Sequence, residues 1–248
     1  MSGWNALILA GSRGNLDWVA VAAGVSDKAL AEVGGLTMLE RVVRALREAG
    51  AGRIGVATGS EPVIALAISL GCEIVPARSG PSESAAAGLA QMGAPMLLTT
   101  ADHALLRAEW VTDFLERIPA GVDICALLAT QERIVAAVPD ARRTWLRFAD
   151  ARRSGCNLFY LATPEAGAAL QFWRAVEADR KQPWKIARRL GLGLLLRYAV
   201  GRLTLADAFA HLGRLAGVRA AAVDTPFGLA AVDVDKPDDL VLARSLVG

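Results

Sequence analysis

The sequence has little lysine, and this makes its few lysines informative. Of its 27 cationic residues only four are lysines, at positions 28, 181, 185 and 236. The chain therefore uses arginine for most of its surface cations. Lys28 and Lys236 are of particular interest, because the chain mostly uses arginine where it needs only a surface cation.

Cysteines are also few, and long apolar runs are missing. Cys72, Cys125 and Cys156 are widely spaced, odd in number and form no CxxC pair, which argues against a structural zinc site and a disulfide scaffold. No basic stretch precedes an apolar core near residue 1, and no apolar run reaches the roughly 18 residues of a membrane span. We therefore expect a cytoplasmic protein with free thiols, no signal peptide and no transmembrane segment.

Charge of one sign is not in excess either. The net charge is +2, with 54% hydrophobic and 21% charged residues, as is typical of a folded globular chain. No basic stripe interleaved with aromatic residues is present, so we expect no nucleic-acid partner. The 248 residues contain no internal repeat and no low-complexity linker, which favours a single domain over residues 1–248.

The first half of the chain alternates between two periodicities. Short apolar runs predict buried strands, and segments with helical spacing follow each of them. This order predicts βαβ units, a mostly parallel central sheet and a three-layer α/β/α fold. The predicted strands are NALILA, RIGVAT, CEIVPA and APMLLTTAD; the predicted helices are TMLERVVRALREAG, EPVIALAISLG, SESAAAGLAQM (with Ser82 or Ser84 as its N-cap) and RAEWVTDFLERI. Since ligands bind at the carboxyl ends of parallel strands, the loops at 10–14 and 100–104 should share one rim.

The second half departs from this alternation. Longer strand-like segments suggest an antiparallel insertion, and a helical subregion is expected from about 164 to 216. Two further strands and a closing helix with Pro237 in its first turn should complete the fold. The strand-like segments are VDICALLAT, TWLRFAD, CNLFYLAT, VRAAAVDT and LAAVDVD, and the closing helix is PDDLVLARSLV.

The turn after the first strand could hold an anion. Residues Ala10-Gly11-Ser12-Arg13-Gly14 offer backbone N–H groups with little side-chain bulk, and Arg13 could fork onto phosphate oxygens. The turn matches neither the dinucleotide-binding GxGxxG pattern nor the GxxxxGK[ST] phosphate loop. Lys28 could approach the same rim. The alternatives are an ordinary strand-to-helix turn and a solvated surface lysine.

Three carboxylates are candidate metal ligands. Asp102 directly follows the strand MLLTT and an alanine, where an α/β sheet presents groups to a ligand, and carboxylates suit Mg²⁺. Asp233 or Asp235, on one face of a predicted strand, could complete the site. The alternative for Asp102 is a cap of the helix that starts near Arg107, and for Asp233 and Asp235 it is capping and solvation.

Together these segments resemble the MobA-like nucleoside-triphosphate transferase family. The resemblance is carried by LILAGSRG…GVSDKALAEVGGLTMLERVVRAL, LLTTADHALL and VDVDKPDDLVLAR, and it covers roughly residues 5–118 and 218–246. This family includes the sugar-phosphate, methylerythritol-phosphate and molybdenum-cofactor nucleotidyltransferases, which have a glycosyltransferase-A type of α/β fold. The resemblance implies transfer of a nucleotidyl group from a nucleoside triphosphate, with CTP or GTP favoured, to a phosphorylated or hydroxyl acceptor, with release of pyrophosphate.

The resemblance also implies a role for each candidate residue. The turn Ala10–Gly14 with Arg13 would hold the triphosphate, and Lys28 would contact phosphate and stabilise the transition state. Asp102 would bind Mg²⁺ with Asp233 or Asp235. Ser82 and Ser84 would contact the base, and Asn157 would line the acceptor side. The chain departs from the family where Ser12 replaces a glycine and Asp27 a proline, and where the stretch from Arg13 to Lys28 is long.

Two other functions and three roles for the helical subregion stay open at this point. A glycosyltransferase of the same fold would normally carry Asp-x-Asp in mid-chain, and TTADHALL lacks it. A degenerate nucleotide-binding regulatory protein is the non-enzymatic alternative. The apolar, arginine-rich helical stretch 184–216 could form a lid or a homodimer contact, a purely structural helical pair, or an interfacial helix at a lipid surface.

Overall fold

The computed structural model of the chain describes residues 3–11, 17–139, 143–179 and 181–247. Strands and helices alternate through its first half, as predicted. The strands are β1 (Asn5–Leu9), β2 (Glu32–Val33), β3 (Leu36–Thr37), β4 (Ile54–Thr58), β5 (Glu73–Pro76), β6 (Met96–Thr100), β7 (Ile124–Thr130), β8 (Leu146–Arg147), β9 (Arg152–Leu161) and β10 (Ala220–Asp224). The helices are α1 (Trp18–Ala23), α2 (Met38–Glu48), α3 (Glu61–Ser69), α4 (Pro81–Met92), α5 (Ala108–Arg117), α6 (Gln131–Ala137), α7 (Ala166–Ala178), α8 (Pro183–Leu190), α9 (Leu192–Ala199), α10 (Leu205–Ala216) and α11 (Pro237–Ser245).

The central sheet is mostly parallel, as the alternation predicts. Its strand order is β5-β4-β1-β6-β9-β7-β10, with β8 paired to β9, while β2 and β3 form a separate small hairpin. β1 lies parallel to both β4 and β6, so that Ala6 is opposite Ile54 on one side and Leu97 on the other. In the described part of this sheet, β9 alone runs against the direction of the other strands, and it pairs antiparallel with β6, β7 and the short β8. The expected antiparallel insertion is thus confirmed in β9.

Alternate residues of β1 pack into different layers, which makes the fold a three-layer α/β/α sandwich. Ile8 belongs to a core formed with α2 and α5, whereas Leu7 belongs to a second core with α4 and α7. Both side chains are completely buried. A strand whose two faces are both covered has to be apolar throughout, and this explains the uninterrupted run NALILA.

The local sequence of α2 determines where this helix begins and which of its faces is buried. The Thr37 side chain accepts a hydrogen bond from the Glu40 N–H, and Glu40 accepts one from the Thr37 N–H, forming a capping box. This arrangement satisfies N–H groups that the first turn leaves unpaired. The predicted apolar face is buried, as the periodicity requires: Met38, Leu39, Val42, Val43 and Leu46.

Helices α7 to α10 lie within residues 164–216, the range in which a helical subregion is expected. The start of α4 differs from the prediction. Gly80 is its N-cap and Pro81 its first residue, so Ser82 and Ser84 lie inside the first turn and cap nothing. Proline at the first helical position lacks the N–H that would otherwise need a partner, and it therefore moves the start two residues earlier than Ser82 suggested.

Two of the predicted strands are wrong in whole or in part. TWLRFAD contains only the two-residue β8. LAAVDVD is no strand: Gly228–Ala231 forms a 3-10 turn, and an extended segment without sheet partners follows. Ala230, Ala231, Val232 and Val234 are all buried, so burial here is nearly continuous and not alternating. The segment packs against α6 and the end of the sheet and does not extend an edge.

The Gly228 position should tolerate no side chain. A Cβ there would collide with the backbone carbonyl group of Arg133, and backbone cannot move aside as a flexible side chain can. We expect Gly228→Ala to lower the free energy of unfolding by about 2 kcal/mol or more, measured by denaturant titration. The matched control is Gly193→Ala in α9, where a Cβ meets nothing within 4 Å; it should be neutral or stabilising by up to about 1 kcal/mol. Equal stability of the two variants would contradict this prediction.

Candidate active site

A cleft of about 1570 Å³ opens at the carboxyl ends of the parallel strands β1 and β6. Its walls come from the end of β1, the loop before β2, the start of α4, the turn after β6, the end of α7 and the start of α11. Ala10, Gly11 and Asp102 lie in it, so the two loops predicted to share a rim meet there. Ser12, Arg13 and Gly14 lie outside the described residues.

Lys28, Asp102 and Asp235 converge in this cleft from three distant parts of the chain. The Lys28 Nζ lies 2.6 Å from Asp102 Oδ2 and 3.5 Å from Asp235 Oδ1. The lysine and Asp102 side chains are 24% and 13% exposed, whereas that of Asp235 is 61% exposed. The cation therefore sits between one sheltered carboxylate and one that faces the open cleft.

Asp27 fixes the turn that presents Lys28. Its buried carboxylate accepts a hydrogen bond from the Ala29 N–H at 3.0 Å, and it caps the 3-10 turn Lys28–Leu30. Burial raises the pKa of Asp27, opposed by that hydrogen bond. The aspartate that stands in place of the family's proline thus has a local structural role: it orients the turn and with it the lysine.

Backbone hydrogen bonds hold Asp102 from both sides. The Ala101 N–H donates to the Leu9 carbonyl at 2.9 Å, and the Asp102 carbonyl accepts from the Val234 N–H at 2.9 Å. The second bond brings the segment 233–235 to the end of β6. Helix α5 begins at Ala108 with Arg107 as its N-cap, so the alternative that Asp102 caps this helix is wrong.

The electrostatics of the cleft keep Lys28 charged. Burial by itself lowers the pKa of this lysine, but the charge and hydrogen bond of Asp102, with help from Asp235, outweigh it and leave the pKa raised. Lys28 is therefore an ammonium at neutral pH. Partial enclosure by the cleft walls raises the pKa of Asp235 even though 61% of its side chain is exposed, the charges of Asp233 and Asp102 raise it further, and Lys28 opposes the shift. Another cation in the cleft would relieve this repulsion among carboxylates.

Asp102 has an unused acceptor that suits a metal ion. Its Oδ1 is buried and has no hydrogen-bond partner among the described residues, while Oδ2 contacts Lys28. Among the described residues there is no group of three or more His, Cys, Asp or Glu side chains that could hold a metal. Mg²⁺ commonly binds through one or two carboxylates with substrate phosphates and waters, so Asp102 and Asp235 fit it as a donor set.

Asp233 lies beside this site but does not line the cleft. Its carboxylate accepts hydrogen bonds from Arg143 and, at 2.7 Å, from the Asn157 Nδ2. Asn157 has φ = 51° and lies where three residues of β9 face one of β7 between the pairs Leu128–Gly155 and Ala126–Phe159. Such a bulge redirects a side chain, and asparagine tolerates the left-handed conformation better than most residues. The structure thus joins Asp233 and Asn157 in a polar cluster with Arg143.

The two serines expected near the base line another wall of the cleft. The Ser84 hydroxyl accepts from the Arg78 N–H at 2.9 Å and donates to the Gly80 carbonyl at 3.0 Å, which stabilises the turn before α4. The Ser82 hydroxyl donates to Glu177 Oε2 at 2.7 Å. Both serines are buried, so their present partners belong to the protein.

Sequence reasoning missed several residues of this wall. Arg174, Glu177 and Lys181 reach the cleft from the end of α7 and the turn after it. No motif marks them, because they lie in the middle of the chain, where the family resemblance is less specific.

His103, next to Asp102, is completely buried, and its ring centroid lies 6.3 Å from that of Trp110. Burial lowers its pKa to about 4, so it is neutral near pH 7.

Removal of the Asp233 carboxylate and removal of the Asp235 carboxylate should have different effects on the free energy of unfolding. Asp233→Ala leaves the mostly buried Arg143 without its partner, so we expect the free energy of unfolding to fall by about 2 kcal/mol, below the range for fully buried pairs because both groups keep some exposure. Asp235→Ala, at an exposed carboxylate, should change it by less than about 0.5 kcal/mol. Denaturant titration of both variants measures the difference. A larger fall in the free energy of unfolding for Asp235→Ala than for Asp233→Ala would contradict this prediction.

Comparison with known proteins agrees with the fold. The family described as the MobA-like NTP transferase domain matches residues 6–199. A solved hypothetical transferase from Thermus thermophilus is 31% identical with a TM-score of 0.82, and the match covers 96% of this chain and 99% of that one. No protein of curated function matches the chain in sequence.

More distant structures share the fold. A CMP:2-keto-3-deoxy-manno-octonic acid synthetase complexed with CTP is 17% identical, with a TM-score of 0.59, over 99% of this chain and 98% of that one. The 2-C-methyl-D-erythritol 4-phosphate cytidylyltransferase from Thermus thermophilus is 20% identical, with a TM-score of 0.55, over 99% and 98%. The match of the family over most of the chain and the 31% identical structure decide the classification: the chain belongs to the MobA-like NTP transferase domain family and is a nucleotidyltransferase.

Proposed function

We propose that this protein transfers a nucleoside monophosphate from a nucleoside triphosphate to a small phosphorylated acceptor and releases pyrophosphate. The observation that carries the proposal is the meeting of Lys28, Asp102 and Asp235 in one large cleft. One cation and two carboxylates at the carboxyl ends of parallel strands are suited to an anionic substrate that arrives with its own metal.

The triphosphate would lie along the end of β1. Gly11 is exposed, and a Cβ built on it meets nothing within 4 Å, so there is room for phosphate oxygens close to the backbone. Arg13, which lies outside the described residues, is assigned to the same phosphates by the family resemblance. Backbone N–H groups and a guanidinium together favour a polyanion over a neutral ligand.

Lys28 would neutralise charge that develops on the leaving pyrophosphate. Phosphoryl transfer depends mainly on positioning and electrostatic stabilisation, and the turn capped by Asp27 supplies the positioning. The ammonium lies 2.6 Å from Asp102 Oδ2. A phosphate group entering the cleft would offer it a second anionic partner, so the lysine can bridge protein and substrate.

Asp102 and Asp235 would hold the Mg²⁺. When bound, this ion supplies charge neutralisation and polarisation of the phosphate oxygens. The orphaned Oδ1 of Asp102 and the exposed carboxylate of Asp235 are the donors that support this assignment. We assign Asp233 a positioning role, because its carboxylate is occupied by Arg143 and Asn157; through this cluster it would set the orientation of Asn157 on the acceptor side.

The base would be held near the start of α4. Ser84 fixes this turn, Ser82 joins the start of α4 to Glu177, and residues 78–84 line the cleft. We favour CTP over GTP, because two structures of the same fold are a CTP-bound synthetase and a cytidylyltransferase. A nucleoside triphosphate substrate and three free thiols fit the cytoplasm that the sequence suggested.

An acceptor phosphate needs no general base, since it is already ionised at neutral pH. His103 is too deeply buried to serve as a general base.

The most direct experiment on the proposed function measures pyrophosphate release with each of the four nucleoside triphosphates and Mg²⁺ against a panel of phosphorylated acceptors. Release of a nucleoside diphosphate from a nucleotide sugar, or binding without turnover, would instead identify the glycosyltransferase or the regulatory alternative.

Removal of the central cation tests the role of Lys28. We expect Lys28→Ala to lower kcat by about a hundredfold or more, the scale of one lost electrostatic stabiliser, while the melting temperature stays close to that of the parent. The matched control is Lys185→Ala. Lys185 is a half-buried lysine of α8 that lies outside the cleft, so the kcat of this variant should equal that of the parent. Unchanged turnover in Lys28→Ala would remove this residue from the reaction.

Removal of one carboxylate charge tests the metal site. Asp102→Asn keeps the shape of the side chain but weakens the attraction for a divalent cation, so the Mg²⁺ concentration for half-maximal activity should rise at least tenfold. The control is Asp113→Asn in α5, where the aspartate pairs with Arg117 away from the cleft. A Mg²⁺ titration of Asp102→Asn that superimposes on that of the parent would contradict the assignment.

A further inference from the structure

Residues 181–202 have an unusual charge pattern that the proposed reaction does not use. They contain six cations, Lys181, Lys185, Arg188, Arg189, Arg197 and Arg202, and no Asp or Glu. Carboxylates from neighbouring segments compensate only part of this charge. Asp179 pairs with Lys185 and Arg189, and Asp207 pairs with Arg197. Among the described residues, six cations against these two carboxylates leave an excess of four positive charges over the segment 181–202, which contains α8 and α9.

The same two helices expose large apolar side chains. Leu192, Leu196 and Val200 are 79%, 65% and 57% exposed, and Trp184 on α8 is 61% exposed. The three aliphatic residues are spaced by four, which places them along one side of a helix. We call them, together with Trp184, the apolar surface of α8–α9. Solvent exposure of such side chains in a continuous stripe is unfavourable and indicates a partner.

The fold fixes this surface toward the outside. Tyr198 lies on the opposite side of α9 from Leu196, since two residues turn a helix through about 200°. Its hydroxyl accepts from the Arg147 N–H at 3.1 Å, and its ring packs edge-on to Phe148 at 6.3 Å between centroids. His211 Nε2 lies 2.9 Å from the Leu190 carbonyl and ties α10 to the end of α8. Anchored on its inner side, α9 keeps its apolar stripe toward solvent.

We propose that the apolar surface of α8–α9 binds an anionic lipid bilayer. Helices that bind at a membrane interface combine exposed apolar side chains with an excess of lysine and arginine. Their apolar side chains insert among the lipid headgroups, and their cations contact the lipid phosphates. A symmetric contact with a second copy would bring two surfaces of equal positive charge together. A nucleic acid would satisfy the cations but leave the apolar stripe in water.

The position of this surface connects it to the cleft. Glu177, Ala178 and Lys181 line the cleft, and α8 begins at Pro183. A bound protein would therefore hold the rim formed by the end of α7 close to the bilayer. Within the described residues no helix is both long enough and apolar enough to cross a membrane, so attachment at the interface is the membrane contact that α8 and α9 can make.

Vesicle co-sedimentation of the full chain, without nucleotide, tests the proposal. The parent should sediment with equimolar phosphatidylglycerol–phosphatidylcholine vesicles at low salt, much less at high salt, and little with pure phosphatidylcholine. Leu196→Glu should weaken binding at least tenfold. Arg188→Glu changes the charge by two units and should weaken it by more than tenfold, because each cation near an anionic surface contributes roughly fivefold. Ile68→Glu, at a 60% exposed residue of α3, is the matched control and should bind as the parent does.

Melting temperatures equal to that of the parent establish that the variants fold. Absence of parent binding to the anionic vesicles at low salt, or equal binding by Leu196→Glu, overturns the proposal. Equal binding to pure phosphatidylcholine overturns its electrostatic part. A concentration-dependent dimer that Leu196→Glu abolishes, with no vesicle binding, would assign the surface to a second copy. Because the readout is sedimentation and not pyrophosphate release, its failure is distinguishable from failure of the proposed reaction.

Discussion

The contact between Lys28 and Asp102 is the interaction on which the candidate site depends. It joins residues 74 positions apart at 2.6 Å in a place that is only partly exposed. Removing two charges from water is costly, and a partly buried pair gains little net stability over apolar packing. Stability alone therefore does not account for the pair, whereas a sheltered cation beside a sheltered carboxylate suits the phosphate and the metal of the proposed reaction.

The topology of the sheet makes this contact achievable. β1 is central and parallel to β4 and β6, so the segments that follow β1 and β6 meet at one edge. Two backbone bonds then set the details: Ala101 to Leu9 aligns the turn that carries Asp102, and Val234 to Asp102 brings in Asp235. Neither bond depends on a catalytic side chain. The backbone scaffold thus positions the charged groups.

Much of the fold and part of the site could be predicted from the sequence, for physical reasons that differ between elements. The buried strands and α2 are fixed by local periodicity and capping, so Leu7, Ile8 and the buried face of α2 followed directly. Asp102 was found because a carboxylate at the end of an apolar strand is a local pattern. The failures lie where long-range packing decides: LAAVDVD is no strand because it packs on α6, and Glu177 enters the cleft only through the placement of α7.

The separation of Asp233 from Asp235 shows what such long-range packing contributes. Period-two alternation would have placed both carboxylates on one face, toward one ligand. Because their segment is extended without sheet partners, Asp235 faces the cleft, whereas Asp233 turns to Arg143 and to Asn157 at the bulge of β9. Each oxygen of the Asp233 carboxylate already accepts a hydrogen bond, whereas Asp102 Oδ1 has no hydrogen-bond partner among the described residues. This difference in existing partners, together with the place of Asp102 and Asp235 in the cleft, is the reason that the proposed function treats these two as metal ligands and Asp233 as a positioning residue.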